Sequence, residues 1–321
     1  MNAQTIRVFL LLAAITAALS TPALAWNDVG HKITAYIAWQ QMTPDVRERV
    51  IKILLESPED AQLSTFYVPQ GGRSDEAVRR EFFMLASTWA DIVRDRKFAN
   101  RYKKYHHSNW HYSDTFWRVG ADGKIEFLPA PDEGGLAVEK MQDFAKQLAA
   151  ANVPDAQKAI AIAWLEHLIG DIHQPLHASA RVTDLEPKGD QGGNLFLLTP
   201  KGTPRDKQEN LHWFWDSIVV RYSPRKNDAA DADYVDPIAR QIMKRYPPAR
   251  FQATLKAGDF QAWQKESLDR AIKDVFTADL RRGEMPSRAY TKRAFQTAEE
   301  RLALAGYRMA AVLNGALAKQ Q

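Results

Sequence analysis

Two histidine–aspartate pairs with a spacing of four, His167 with Asp171 and His212 with Asp216, are the features of this sequence most able to do chemistry. On a helix, residues four apart lie one above the other on the same face. A metal ion requires just that from a rigid element: two ligands at a fixed separation. Pro175 ends the first of these helices and lets His177 fold back toward the same site. Asp91, in Trp89-Ala90-Asp91, and His111, in Trp110-His111-Tyr112-Ser113-Asp114, add another carboxylate and another imidazole. Taken singly, a His-x-x-x-Asp pair is more often a helix-surface hydrogen bond than a ligand pair. Several of them, set among Trp, Leu and Ile, are costly to bury unless their charges are neutralised. A cluster of divalent cations is the simplest neutraliser. The chain has no cysteine, so such ions would sit on His, Asp, Glu or main-chain groups, a donor set that suits zinc.

The elements that must position these residues read as helices. Thr43-Pro44-Asp45 has a capping hydroxyl, a proline at the first helical position and an acid in the first turn. The apolar stripe Val46, Val50, Ile51, Leu54 and Leu55 follows it. Residues 79–94 read as helix, and 154–173 as the longest apolar-rich one, closed by Pro175. Further helices are expected over 136–150, 210–222, 231–245, 260–278 and 288–317. Phe116 to Leu128, with Gly120 and Asp122-Gly123 inside it, reads as a small hairpin. Residues 57–75 and 180–208 are rich in Gly, Pro, Ser and charges and read as long loops. The expected fold class is all-α with minor β decoration.

Composition narrows the setting. Hydrophobic content of 45% and charged content of 26% are ordinary for a globular chain. Without repeats or a Gly/Ser linker, residues 26–321 read as one domain. Residues 1–25 carry a single charge, Arg7, then an apolar run from Val8 to Ile15, and end in Ala23-Leu24-Ala25. That is a signal-peptide pattern with cleavage after Ala25, which makes Trp26 the first mature residue and places the protein in the periplasm or outside the cell. The formal charge of +4 suits a polyanionic partner, although a mild basic excess is usually only a solvated surface.

The ordered set of motifs carries a resemblance. Trp26 followed by His31, then Trp-Ala-Asp, Trp-His-Tyr-Ser-Asp, His-x3-Asp-x5-His, Gly-Asp-x-Gly-Gly-Asn and Asn-Leu-His-x3-Asp resembles the zinc-dependent S1/P1 nuclease family from residue 26 to about 220. The resemblance implies a multi-helix fold shared with zinc-dependent phospholipase C and a site holding three zinc ions. By this likeness Asp91, His111, His167 and Asp171 match the ligands of the first zinc, with Asp171 bridging to the second. His31 and the α-amino nitrogen and carbonyl oxygen of Trp26 complete that second ion, and His177, His212 and Asp216 hold the third.

The implied activity is hydrolysis of single-stranded DNA and RNA to 5′-phosphate products, together with 3′-nucleotidase activity. A hydroxide between the two close zincs would attack phosphorus, and the third zinc would stabilise the departing O3′. Asp91 and Asp171 enter the catalytic set through the metal. Arg94 matches an arginine that pairs with phosphate oxygens, for which its planar fork is suited. Tyr112 and Asp114 match positions that hold a nucleobase by stacking and by edge hydrogen bonds, which requires an unpaired base. Asn194 matches a site-lining glycine loop. His106, His107 and His173 lie outside the pattern and read as surface groups or as groups just behind the ligands. No protein partner is implied, and a monomer is expected.

The chain departs from eukaryotic relatives in having neither cysteine nor an Asn-x-Ser/Thr sequon, which points to a bacterial, periplasmic setting. The segment from Ser57 to Arg80 looks long and could cover the cleft. Two other readings compete. Zinc phospholipases C place the first histidine farther from the N-terminus and use Glu where this chain has Asp216. A non-catalytic periplasmic zinc- or nucleic-acid-binding protein would have no need of Arg94.

Overall fold

A computed structural model describes residues 26–69, 71–130, 134–225 and 230–318; the expected signal peptide and its cleavage point lie outside the described residues. The described chain is helical, with one small sheet. The twelve α-helices among these residues are α1 (Asp28–Gln41), α2 (Pro44–Leu55), α3 (Asp75–Ala86), α4 (Trp89–Ile92), α5 (Ala99–Tyr105) and α6 (Ala137–Ala149), then α7 (Asp155–His173), α8 (Leu211–Asp216), α9 (Ile218–Tyr222), α10 (Asp231–Arg245), α11 (Phe260–Arg270) and α12 (Arg288–Leu317). No helix among them is long and apolar enough to cross a membrane.

Helix α7 runs through the middle, buried on nearly every side from Ala161 to His173. It packs against α2, α6 and α12, and α1 lies against α12 and α10. The α1–α12 approach is close at Gly306, where an added Cβ would stand 2.6 Å from Ile37. That helix pair anchors the N-terminal segment to the core. Asn27 caps α1 by accepting from Gly30 N, and Thr43 caps α2 by accepting from Val46 N, as its sequence predicts.

Five sequence expectations need correction. The helix expected over 79–94 is two: α3 starts at Asp75 behind the Ser74 cap, and the chain breaks at Ser87-Thr88 before α4. There the two hydroxyls donate to Met84 O and Leu85 O, competing with the helical ladder. Helix 210–222 is likewise split at Ser217, and 260–278 ends as a π-turn over Ala271–Val275. The expected loop 180–208 begins inside a strand. β1 (Thr115–Val119) pairs antiparallel with β2 (Ile125–Phe127), as the hairpin predicts, and parallel with β3 (Ser179–Arg181). Nor is 57–75 a free loop: Ala61 and Leu63 are buried, and Trp89 Nε1 donates to Ala61 O at 2.8 Å. Residues 60–63 form a packed wall beside α4 and α5.

Candidate metal centre

Six elements deliver the expected ligands to one place. His31 comes from α1, Asp91 from α4, His111 from the turn after a short 3₁₀ helix, and His167 and Asp171 from α7. His177 comes from the 3₁₀ turn that Pro175 opens, and His212 and Asp216 from α8. The donor atoms form three groups, each within 4.8 Å: His31 with Asp91 and His167; His111 with His167 and Asp171; His177 with His212 and Asp216. Asp171 stands at the junction. Its Oδ1 lies 3.3 Å from His31 Nε2, while its Oδ2 lies 3.0 Å from His111 Nδ1 and 3.3 Å from His167 Nε2. In the third group His212 Nε2 is 3.3 Å and His177 Nε2 3.8 Å from the Asp216 carboxylate.

Three of the five imidazoles are held in the tautomer that a metal needs. His167 Nδ1 donates to Ser87 O at 2.8 Å, His177 Nδ1 to His111 O at 2.7 Å, and His212 Nδ1 to Gly192 O at 2.7 Å. Each bond leaves Nε2 as the free lone pair and fixes the ring plane. Among the expected ligands, buried atoms without hydrogen-bond partners include both nitrogens of His31, Nε2 of His111, His177 and His212, Oδ1 of Asp171 and Oδ2 of Asp216. Buried polar groups are ordinarily satisfied, so this concentration fits a site built for cations.

Electrostatics agree. Burial pushes His31 and His167 down to about 4 and also lowers His111 and His212, so the rings stay neutral. The stacked His31 and His167 rings, 3.9 Å apart, are compatible with that neutrality. Burial pushes Asp171 and Asp216 up to about 7. Asp91 is also raised by burial, but the joint attraction of His167, Arg94 and His31 outweighs this and leaves it below the ordinary value.

Several positioning groups were invisible in the sequence. Gln174 Nε2 donates to Asp216 Oδ1 at 2.7 Å, aiming that carboxylate. Asn27 N donates to Asp216 O at 3.1 Å, and the Trp26 side chain is fully buried, so the N-terminal segment is tied beside the third group. Gly192, at φ +61°, brings its carbonyl to His212; an added Cβ would strike Leu176 O at 2.5 Å. Gly170 has no special dihedral, yet an added Cβ would stand 2.7 Å from His31 Nδ1. Gly170→Ala is therefore expected to displace His31 and weaken metal uptake at that group roughly tenfold or more. Metal titration of the variant checks this; unchanged affinity would show that the ring has room to move.

The other expected residues fall around the cluster. Arg94 Nη2 lies 3.0 Å from Asp91 Oδ1, at the edge of the first group. Tyr112 is half-buried, with Gly135, at φ +85°, so close that an added Cβ would meet its carbonyl at 2.1 Å. Burial and the nearby Asp190 raise the Asp114 carboxyl well above its ordinary range, and its Oδ1 has no partner. Asn194 spends its side-chain amide on its own turn, donating to Gln191 O at 2.8 Å. His173 is not a surface group. It is fully buried, donates from Nδ1 to Ile169 O at 2.7 Å and accepts from Arg308 at 2.8 Å, bracing the end of α7.

Comparison with known proteins adds an independent line. The family profile described as S1/P1 Nuclease matches residues 26–318. Nuclease S1 of Aspergillus oryzae is 23% identical over 332 residues, covering 94% of this chain and 96% of that protein. Endonuclease 2 of Arabidopsis thaliana is 22% identical over 338 residues, covering 98% of each. Nuclease P1 of Penicillium citrinum is 22% identical over 201 residues, covering 63% of this chain and 59% of that protein.

Proposed function

Because this chain belongs to the S1/P1 nuclease family, whose members are hydrolases of phosphodiester bonds, we propose that it is a zinc-dependent endonuclease that cleaves single-stranded DNA and RNA to 5′-phosphate products. It also removes the phosphate of 3′-nucleotides, and it acts as a monomer holding three zinc ions. The observation that carries this reading is the set of three adjoining His/Asp groups, in which Nε2 of His31, His177 and His212, Oδ1 of Asp171 and Oδ2 of Asp216 are buried without a hydrogen-bond partner. The donor set is nitrogen and oxygen only, with tautomers fixed for ligation, and it suits zinc. His31, Asp91, His111, His167 and Asp171 would hold two ions, with the Trp26 main chain completing one, and His177, His212 and Asp216 the third. Zinc there supplies an acidified water near neutral pH and a Lewis acid for the departing oxygen.

The protein's own residues do the rest. Arg94 stands beside Asp91, and its planar guanidinium is suited to orienting the non-bridging phosphate oxygens. Tyr112, seated on Gly135, offers a ring face to one unpaired base. Asp114 is biased toward its protonated form, so it can donate as well as accept at the base edge. Asn194 lines the approach from the glycine loop. Export with cleavage after Ala25 frees the Trp26 α-amine, and the tie from Asn27 N to Asp216 O supports a mature N-terminus held at the site.

The test is hydrolysis of a single-stranded 20-mer by zinc-loaded protein starting at Trp26, with product ends read by mass. Release of 5′-phosphate ends, faster than from a duplex, is expected. Hydrolysis of phosphatidylcholine with no cleavage of the 20-mer would replace the reading with a phospholipase C.

A further inference from the structure

The basic charge of this chain is concentrated next to the metal centre. Residues 92–107 hold six Lys and Arg (Arg94, Arg96, Lys97, Arg101, Lys103, Lys104) against one carboxylate, Asp95, an excess larger than the +4 of the whole chain. Helix α5 was not expected from the sequence, and it folds this stretch into a ridge. Backbone bonds run from Arg94 N to Asp91 O, from Phe98 N to Asp95 O and from Tyr102 N to Phe98 O, reaching His106 N on Tyr102 O. The ridge begins at the site, where Arg94 faces Asp91.

Three of the six cations are committed elsewhere. Arg94 faces Asp91; Arg101 is buried and donates to Gln62 Oε1 at 2.7 Å; Lys104 pairs with Asp60 at 2.7 Å. Arg96, Lys97 and Lys103 are exposed, and among the described residues no carboxylate lies within ion-pair distance of them. Aromatic faces alternate with these charges. Tyr102 stacks on His106 at 4.7 Å with the Arg96 guanidinium 5.4 Å from its ring, and Phe98 is 45% exposed. Cations interleaved with ring faces are the pattern that follows a single strand: phosphates meet the charges and unpaired bases meet the rings.

We infer that the ridge from Arg96 to His106 is a track for the nucleotides beyond the scissile linkage, with Arg96, Lys97 and Lys103 holding phosphates. Bases meet the aromatic surface made by the Tyr102–His106 stack and the exposed part of Phe98, whose ring already carries the Arg101 guanidinium 4.3 Å from its centre. This rests on the nuclease reading and deepens it: the preferred substrate is a polynucleotide strand, and a mononucleotide leaves the track empty. Arg94 connects the track to the reacting phosphate.

The test uses the zinc-loaded protein and the triple variant Arg96→Gln/Lys97→Gln/Lys103→Gln. Binding is read with a labelled phosphorothioate dT12, whose linkages slow cleavage, across 25–200 mM salt (about one decade). Hydrolysis is read on ordinary dT12 and on thymidine 3′-phosphate. The triple variant is expected to bind dT12 about tenfold or more weakly at low salt, and its salt slope to fall by about 2, since each phosphate contact on a single strand contributes about 0.7. KM for dT12 rises correspondingly, while kcat and KM for thymidine 3′-phosphate stay put. The charge-matched variant Arg240→Gln/Lys244→Gln/Arg250→Gln, exposed cations elsewhere, should leave all of these near parent values. Unchanged dT12 affinity and slope in the first triple would overturn the track, and so would equal losses in the two triples or equal losses on both substrates. If the parent binds dT12 with the expected slope but cleaves nothing, the nuclease reading fails and the track stands.

Discussion

Stripping zinc from the protein is expected to abolish cleavage of single-stranded oligonucleotides, and returning zinc to restore it. The same experiment should leave a pH signature in stability. In the metal-free protein His31 and His167 titrate at about 4, below the unfolded value near 6.5, so the unfolded chain binds more protons between those limits. Their contribution is therefore present above 6.5 and lost as pH falls toward 4. Asp171 and Asp216 behave oppositely. Their folded value of about 7 exceeds the unfolded value near 3.8, so their contribution is present below 3.8 and lost as pH rises through 7. Between pH 4 and 6.5 the two effects oppose each other. From 6.5 to about 7.5 only the carboxyl effect remains, and metal-free stability falls by roughly 1 kcal/mol per carboxyl. Zinc bound at the proposed site would take the place of those protons, so the gap in Tm between zinc-loaded and metal-free protein should widen from pH 6 to 8. A gap independent of pH would mean that these carboxylates are not ligands. Cleavage that survives complete metal removal would remove zinc from the mechanism altogether.

What could be read in the sequence, and what could not, follows from how far each signal reaches along the chain. The pairs His167–Asp171 and His212–Asp216 were legible because one helical turn fixes their separation locally. The turn that returns His177 was legible because Pro175 cannot continue a helix. Helix α1, which carries His31, gave no periodic signal: from Val29 to Trp39 every residue is buried, so there is no polar face against which a stripe could show. Strand β3 covers only Ser179–Arg181, too short for alternation, and it exists because β1 is already beside it. The break at Ser87-Thr88 looked like helix interior, yet it frees Ser87 O to receive His167. Gly170 carries no local signal, and only the packing of α1 on α7 shows that it makes room for a ligand. The motif order led to the right family before any of these contacts was known, and the family match over residues 26–318 agrees with it.

Asp171→Asn is expected to cost at least 10³-fold in kcat on single-stranded oligonucleotides, about 4 kcal/mol of transition-state stabilisation. One carboxylate serves two groups here: Oδ1 faces His31, and Oδ2 faces both His111 and His167. An amide keeps the shape but has one oxygen where the site uses two. Whichever way it is turned, its NH₂ meets a histidine nitrogen. His167 Nδ1 already donates to Ser87 O, so its Nε2 can only accept, and an amide donor there would occupy the lone pair that a metal needs. The amide also removes the negative charge that would offset the cations proposed on either side of it in a buried place. Folding should not suffer in parallel. Without metal, the amide is spared the ionisation of a buried carboxyl above pH 7, so the metal-free variant should melt at or above the metal-free parent at pH 8. The zinc-dependent rise in Tm should shrink, and bound zinc per chain should drop. Activity within tenfold of the parent at full zinc content would show that Asp171 does not bridge. A variant that loses activity and metal-free stability together would point to a role in packing, with the metal groups assembled by the histidines and Asp91 alone.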